Sequence, residues 1–264
     1  MKIYISLNGN SIGSITVNLS DHTATLEDDQ TILGTVTITA GNLNANYSLG
    51  TGSINIATTD FNYSGLDLSS ATTTFNGTSQ QTITSNGNSF GNFVVNNSNG
   101  LVMQDAMSVS GTMTLTDGNI NTNGNILELT SEDASHLSGF SSSSFIKATT
   151  ANGALRRHIN DDGSNQDIYA YPVGLGSGTT NYRRFDLIND GLTGGFNYLD
   201  VYIEKNAESG QNIASNSVAE HFGEAVVYFS QEEWMMIPDV EPATGEYGIR
   251  LYLADITMTG WALE

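Results

Sequence analysis

Four arginines stand out in an acidic chain: Arg156, Arg157, Arg183 and Arg184 supply half of its 8 basic residues, against 28 acidic ones and a net charge of -20. Guanidinium groups hold carboxylates and sulfated sugars through forked hydrogen bonds, and a neighbouring tyrosine offers a stacking surface. Arg156, Arg157, Tyr182, Arg183 and Arg184 are therefore the candidate ligand-binding set, with an anionic glycan as the ligand. The competing expectation is internal pairing of the same arginines with Asp161, Asp162, Asp167 and Asp186. A second candidate is the run Asn160-Asp-Asp-Gly-Ser-Asn-Gln-Asp167. Its Asp161, Asp162 and Asp167 bring hard oxygen ligands around a glycine, which suits calcium. The run lacks the acid spacing and distal glutamate of an EF-hand, so a polar hairpin loop competes with the cation site.

Catalytic chemistry finds less support. Polysaccharide lyases need a base and a cation, yet residues 3–146 contain no Lys or Arg. A hydrolase needs two spaced carboxylates, and Glu27-Asp28-Asp29 and Glu132-Asp133 read instead as solvated turns. The histidines His22, His136, His158 and His221 have no metal-ligand spacing, and no serine sits in a nucleophile elbow. The expectation is a protein that is not an enzyme. If it is a polysaccharide-active enzyme or carbohydrate-binding module, the site falls in the C-terminal part, near the arginines and the Tyr171-Pro-Val-Gly174 turn, with Asp200 and Glu204 as the acids. Threonine ladders, Thr35–Thr39 and Thr112–Thr116, suggest an ice-matching surface, but their recurrence only once per long repeat implies no continuous threonine sheet.

The elements that must position these residues are set by repetition. Residues 3–46 align with 81–123 at a displacement of about 78 residues, a period that signals a stacked architecture. Apolar positions stay apolar and glycines stay glycine, as in Gly34-Thr-Val-Thr-Ile-Thr against Gly111-Thr-Met-Thr-Leu-Thr. Short β-rich runs recur every six to ten residues or so, as in Ser14–Asn18, Phe93–Asn96 and Ile126–Leu129. That spacing predicts about three strands per coil of roughly 20 residues, with Asn-Gly and Gly-Asn pairs at positive-φ corners. Alternation puts Val36, Ile38, Met113 and Leu115 inside. A single such coil buries too little to offset its ordering entropy, so stability must come from stacking.

The texture changes across the serine-rich stretch Ser131–Ser144. Longer aromatic runs follow, at Tyr198–Glu204, Glu224–Ser230 and Tyr247–Leu253, with Trp234–Ile237 continuing their core and Pro238 and Pro242 framing a turn. The fold class expected is all-β: a parallel β-solenoid (β-helix-like) array over residues 1–146, followed by a smaller antiparallel β-sandwich-like domain over 147–264. The first copy begins almost at residue 1, so the chain is expected to be a piece of a longer array with an open, sticky end.

Composition bounds the partners. A pI of about 4.1 argues against nucleic acid and anionic membrane surfaces and favours divalent cations. Cys 0 excludes disulfides, thiolate metal sites and cysteine nucleophiles. No stretch has the length or apolarity of a membrane span.

The strings Phe75-Asn-Gly-Thr-Ser-Gln-Gln-Thr-Ile-Thr84, Phe93-Val-Val-Asn-Asn97 and Val109–Thr122 resemble the repeat regions of large secreted and cell-surface, adhesin-like proteins of Bacteroidota-type bacteria. Gly153-Ala-Leu-Arg-Arg157, Tyr169-Ala-Tyr-Pro-Val-Gly174 and Tyr182-Arg183 resemble the segment that commonly follows those repeats. The resemblance covers about residues 70–190. It implies an extracellular, cell-surface location reached by type IX secretion, an adhesive or scaffolding role, and no known catalytic residues. The C-terminal sorting domain common in such proteins is not evident in Gly245–Glu264. The function expected is a non-catalytic structural and adhesive segment of an exported surface protein, acting as spacer and binding module. Its expected partners are other surface proteins or glycans, and it is expected to self-associate through its solenoid ends. A subunit of a surface layer or fibre is the remaining alternative.

Overall fold

Short strands separated by glycine and asparagine corners close into triangular coils, because each run is long enough to bury two or three side chains and too short to do more. The structure, a computed structural model, describes residues 2–5, 15–26, 35–45, 47–48, 53–56, 60–62, 66–163, 166–176, 181–205 and 232–252. Apart from two 3₁₀ turns, Ala134–His136 and Ala151–Gly153, its regular elements are all strands. The parallel β-solenoid expected from the repeat is present.

Four rungs have all three faces described. Their strands run Thr72–Phe75, Gln81–Thr84, Ser89–Phe90; then Asn92–Asn96, Leu101–Met103, Met107–Val109; then Met113–Asp117, Ile120–Asn121, Leu127–Leu129; then Leu137–Ser138, Ile146–Lys147, Leu155–His158. Corresponding strands pair in parallel and build three sheets, here called one, two and three in that order. Sheet one extends to lower residue numbers through Ser53–Ile56, Thr35–Ala45, Ile15–Leu26 and Lys2–Ile5.

The long repeat is a multiple of the rung. Val36 pairs with Ile54, Ile54 with Thr73, Thr73 with Phe93 and Phe93 with Met113. The two sequence copies therefore occupy the same column four rungs apart. Beside it runs the column Ile38, Ile56, Phe75, Val95, Leu115, all fully buried. The inward placement expected of Ile38, Met113 and Leu115 is observed; the side chain of Val36 lies outside the described residues. Phe61, Phe75, Phe93 and Phe90 continue the stack with ring centroids 5.1 to 5.8 Å apart, in the offset and edge contacts that aromatic rings favour.

Corners follow the sequence signal. Asn86-Gly87 and Asn123-Gly124 adopt positive φ at both residues, the conformation that asparagine and glycine tolerate best. Polar side chains bridge the rungs at another corner. Gln81 Nε2 donates to the Ile56 carbonyl at 2.8 Å, its Oε1 accepts from Gly77 N at 2.9 Å, and Asn97 Nδ2 donates to the same Oε1 at 2.9 Å. Buried backbone groups that a corner strips of ladder partners are satisfied in this way.

Thr73 breaks the apolar column. It is fully buried and its Oγ1 finds no partner, an arrangement that costs about 1–3 kcal/mol. Thr73→Val keeps the branched shape at this buried position, so it is expected to raise stability by about 1 kcal/mol, measured as a shift of the urea midpoint at constant slope.

The threonine ladders lie on the outer face of sheet one and form no continuous threonine sheet, as expected. Sheet one carries a continuous outer register of Thr16, Thr37, Asn55, Thr74, Val94, Thr114 and Ser138. Polar uncharged residues thus recur on almost every rung, with Asn55 and Val94 standing between the threonines.

Beyond residue 130 the coils widen and then change direction. Partners on neighbouring rungs are Val95 and Leu115 in one coil but Leu129 and Arg157 further on. The serine-rich stretch forms this excursion, with Ser141 and Ser144 bridged to each other. Sheet one ends at Leu137–Ser138, while sheets two and three continue. In sheet two, Gln166–Gly174 still runs parallel to Ile146–Lys147, then Tyr182–Thr193 and Thr244–Leu251 follow antiparallel. In sheet three, Tyr198–Lys205 and Glu232–Pro238 add antiparallel to Leu155–His158. The antiparallel strands are therefore hydrogen-bonded onto the solenoid's own sheets, and one core runs from Val17 to Ile203. The strands here run to seven to twelve residues, against two to five in the four rungs described on all three faces, and parallel winding gives way to antiparallel pairing. The strand expected at Glu224–Ser230 lies outside the described residues.

Candidate functional site

Alternation along Leu155–His158 separates the two leading arginines by face. Arg156 points outward from sheet three in register with Asp200. Its Nε and Nη2 each meet one Asp200 carboxylate oxygen at 2.8 Å, and its guanidinium lies 3.8 Å from the Tyr198 ring centre. The hydrogen bonds to Asp200 raise its already high pKa. His158 Nε2 sits 2.9 Å from Glu128 Oε1 on the same face. This is a self-satisfied ladder of polar side-chain pairs across three strands.

Arg157 points inward and is fully buried. No carboxylate holds it; its Nη1 donates to the Ala170 carbonyl at 2.9 Å and its Nη2 to the Ala134 carbonyl at 2.9 Å. Tyr169 and Tyr171 present their rings at 5.2 and 6.0 Å. Burial pushes its pKa down. The side chain ties the turn Ala134–His136 to the strand Gln166–Gly174, a structural post rather than a ligand anchor.

Arg184 lies on the outer face of sheet two. It chelates the fully buried Asp186 through Nε at 2.7 Å and Nη2 at 3.0 Å, and Tyr252 Oη donates to the same carboxylate at 2.8 Å. Tyr252 and Phe140 flank its guanidinium at 4.3 and 4.9 Å. Arg183 Nη1 donates to the Tyr182 carbonyl at 2.9 Å, its own carbonyl accepts from Trp234 Nε1 at 3.0 Å, and Tyr182 packs on Phe145 with centroids 5.5 Å apart. The five residues of the candidate set thus occupy an outer face of sheet three, the interior, and sheet two. They do not converge. Of the carboxylates expected to pair with them, Asp186 does so; Arg156 takes Asp200 instead of Asp161, Asp162 or Asp167. Sequence could not assign that partner, because it depends on antiparallel register between strands 44 residues apart.

In the acidic loop, Asp161 Oδ2 accepts from Gly195 N at 2.8 Å, and Asp162 N donates to Asn160 Oδ1 at 3.0 Å. Asp167 lies on the strand, opposite Asn189. Among the described residues no three acidic, His or Cys side chains gather at one point. Asp200 and Glu204, the acids of the enzymatic alternative, are four residues apart on one strand, about 13 Å. That exceeds the roughly 5–9.5 Å at which paired carboxylates cleave glycosides.

Between the two antiparallel edges lies a cleft of about 490 Å³, floored by Phe185 and Leu187 from sheet two and Leu199 from sheet three, and rimmed by Met236, Tyr247 and Ile249. Its only ionisable groups are Glu241 and Tyr247.

Three tyrosines nearby carry a pH signature. Burial pushes the phenols of Tyr171 and Tyr169 upward and that of Tyr182 up to about 12. A raised phenol pKa leaves the fold at full stability below the ordinary value near ~10 and erodes it as pH rises further, since the unfolded chain ionises first. Melting temperature is therefore expected to fall steeply between pH 10 and 12. Tyr171→Phe, which loses the bond to the Leu199 carbonyl, is expected to start lower at neutral pH and to fall less steeply.

Compared with known proteins, the chain matches no family model, no curated protein and no solved structure.

Proposed function

We propose that this chain is a non-catalytic spacer and binding segment of an exported, cell-surface protein. The observation that carries the reading is the apolar interior, which passes from rung to rung and on into the antiparallel strands, with the buried Thr73, Arg157 and Asp186 among its polar interruptions. Such a body resists bending because every rung is hydrogen-bonded to both neighbours, and its length grows by about 4.8 Å per rung. Three of the arginines that look like a ligand site are engaged by the protein itself: Arg156 by Asp200, Arg157 by backbone carbonyls and Arg184 by Asp186. The charge of -20 keeps neighbouring rods apart and soluble. Glycans or other surface proteins are the partners this reading assigns, with export by the route that the repeat resemblance implies.

The test is a polysaccharide panel combined with limited proteolysis. Trypsin is uninformative, since residues 3–146 offer it no Lys or Arg; thermolysin is the suitable protease. The expected result is survival of the solenoid as a resistant fragment and no release of reducing ends from any polysaccharide. Release of reducing ends that is lost in Asp200→Asn would overturn the reading in favour of an enzyme.

A further inference from the structure

The strand Thr244–Leu251 closes sheet two. It pairs with Tyr182–Thr193 along one side, and no strand covers its other side among the described residues. Open edges of this kind are templates for another strand and are normally blunted by short length, proline or inward charges. This one is eight residues long, without proline, and exposes large apolar side chains: Tyr247 at 59%, Ile249 at 47% and Leu251 at 41%.

The sequence of that edge is complementary to itself. Thr-Gly-Glu-Tyr-Gly-Ile-Arg-Leu, laid antiparallel against a second copy with the two-fold axis at Gly248, sets Glu246 opposite the partner's Arg250, and Arg250 opposite the partner's Glu246. On the other face Tyr247 meets the partner's Ile249, an aromatic against a β-branched residue. Opposite charges and aromatic–β-branched pairs are the cross-strand combinations that stabilise a sheet. Glu246 has no ion pair among the described residues, and Arg250 reaches Asp186 only at 3.7 Å from a half-exposed position. Glycine on the axis removes side-chain bulk where the two backbones approach. The other antiparallel edge among the described residues, Glu232–Pro238, lacks these features: Pro238 cannot donate to a ladder, and Glu232 and Glu233 bring charge of one sign.

We infer that Thr244–Leu251 is a homodimerisation edge, through which two copies of this chain join their second sheets by antiparallel strand addition. The contact is isologous and uses each edge once, so it closes at two subunits. It differs in this from association through solenoid ends, which is not bound to stop at two. The partner's Tyr247 and Ile249 would extend the apolar floor of the cleft beside Met236.

The test is sedimentation equilibrium of the full chain at moderate salt, over a wide concentration range. A monomer–dimer equilibrium that stops at two is expected. Glu246→Arg and Arg250→Glu each place like charges opposite one another twice, and each is expected to raise the dimer dissociation constant about tenfold or more. Mixing the two variants restores opposite charges at both positions and is expected to give a heterodimer. Since Arg250→Glu brings a second carboxylate toward Asp186, Tyr247→Lys serves as an independent edge-blocking variant, expected to be monomeric with an unchanged melting temperature. A wild-type chain that stays monomeric throughout, mass that grows past two, or a dimer indifferent to Glu246→Arg and Tyr247→Lys would overturn the assignment.

Discussion

Arg157→Ala is expected to cost about 3–5 kcal/mol, the range for removing one member of a buried polar network. The guanidinium is the donor for the carbonyls of Ala170 and Ala134, and it fills space beside Tyr169 and Tyr171. Truncation leaves the buried Ala170 carbonyl and the part-buried Ala134 carbonyl without this donor, and a void between aromatic rings. The native arrangement is itself imperfect, since Arg157 Nε has no partner. Arg157→Met should therefore recover part of the loss, by restoring volume without a charge to desolvate, yet remain below wild type because the carbonyls stay unpaired. Urea denaturation read by tyrosine and tryptophan fluorescence measures all three proteins. Equal stability of wild type and Arg157→Ala would show that the turn Ala134–His136 does not depend on this side chain.

The second large effect is expected at Gly118. It has φ of +83°, and a Cβ there would overlap the carbonyl oxygen of Asn97 on the adjacent rung. That carbonyl also accepts from Gly100 N at 2.8 Å, so it cannot retreat without breaking a corner. Left-handed backbone costs a non-glycine residue roughly 1–2 kcal/mol, and displacing a packed rung adds to this. Gly118→Ala is expected to lose about 3 kcal/mol or more in total. Gly124 is the matched control: its φ is +79°, but nothing lies within 4 Å of its would-be Cβ. Gly124→Ala should cost only the backbone term, about 1–2 kcal/mol. Similar losses at both positions would mean that rung-to-rung contact at Gly118 is not what requires glycine.

What was legible in the residues was periodicity. Ile38, Met113 and Leu115 announced an inner face by alternation, and Asn86-Gly87 and Asn123-Gly124 announced corners, because both signals are local and repeated. The displacement of about 78 residues marked the stack, and the pairing chain from Val36 to Met113 explains why it spans four rungs rather than one: the register positions between them carry Ile54, Thr73 and Phe93, so adjacent rungs do not look alike in sequence. The mostly polar outer row, interrupted at Val94, was hidden for the same reason. Arg156 and Arg157, adjacent in the chain, read as a pair, although strand alternation sends one to solvent and the other into the core. The partner of Arg156 was out of reach, because Asp200 is brought to it by antiparallel register and not by spacing. The docking of the antiparallel strands onto sheets two and three also left no local mark, since the residues of a strand do not show which edge receives it.

The central claim is that the chain is a stack of interchangeable rungs, and rung insertion tests it most directly. Residues 92–111 form one rung from corner to corner, with Gly91 and Gly111 at equivalent corners and Gly111 N donating to the Gly91 carbonyl. Four extra copies of 92–111 placed after Gly111, compared with wild type by small-angle X-ray scattering at concentrations where both are monomeric, should lengthen the particle by about 19 Å. The cross-sectional radius should stay constant and melting should remain cooperative. An inserted protein that swells in cross-section without lengthening, or that no longer folds, would contradict the account.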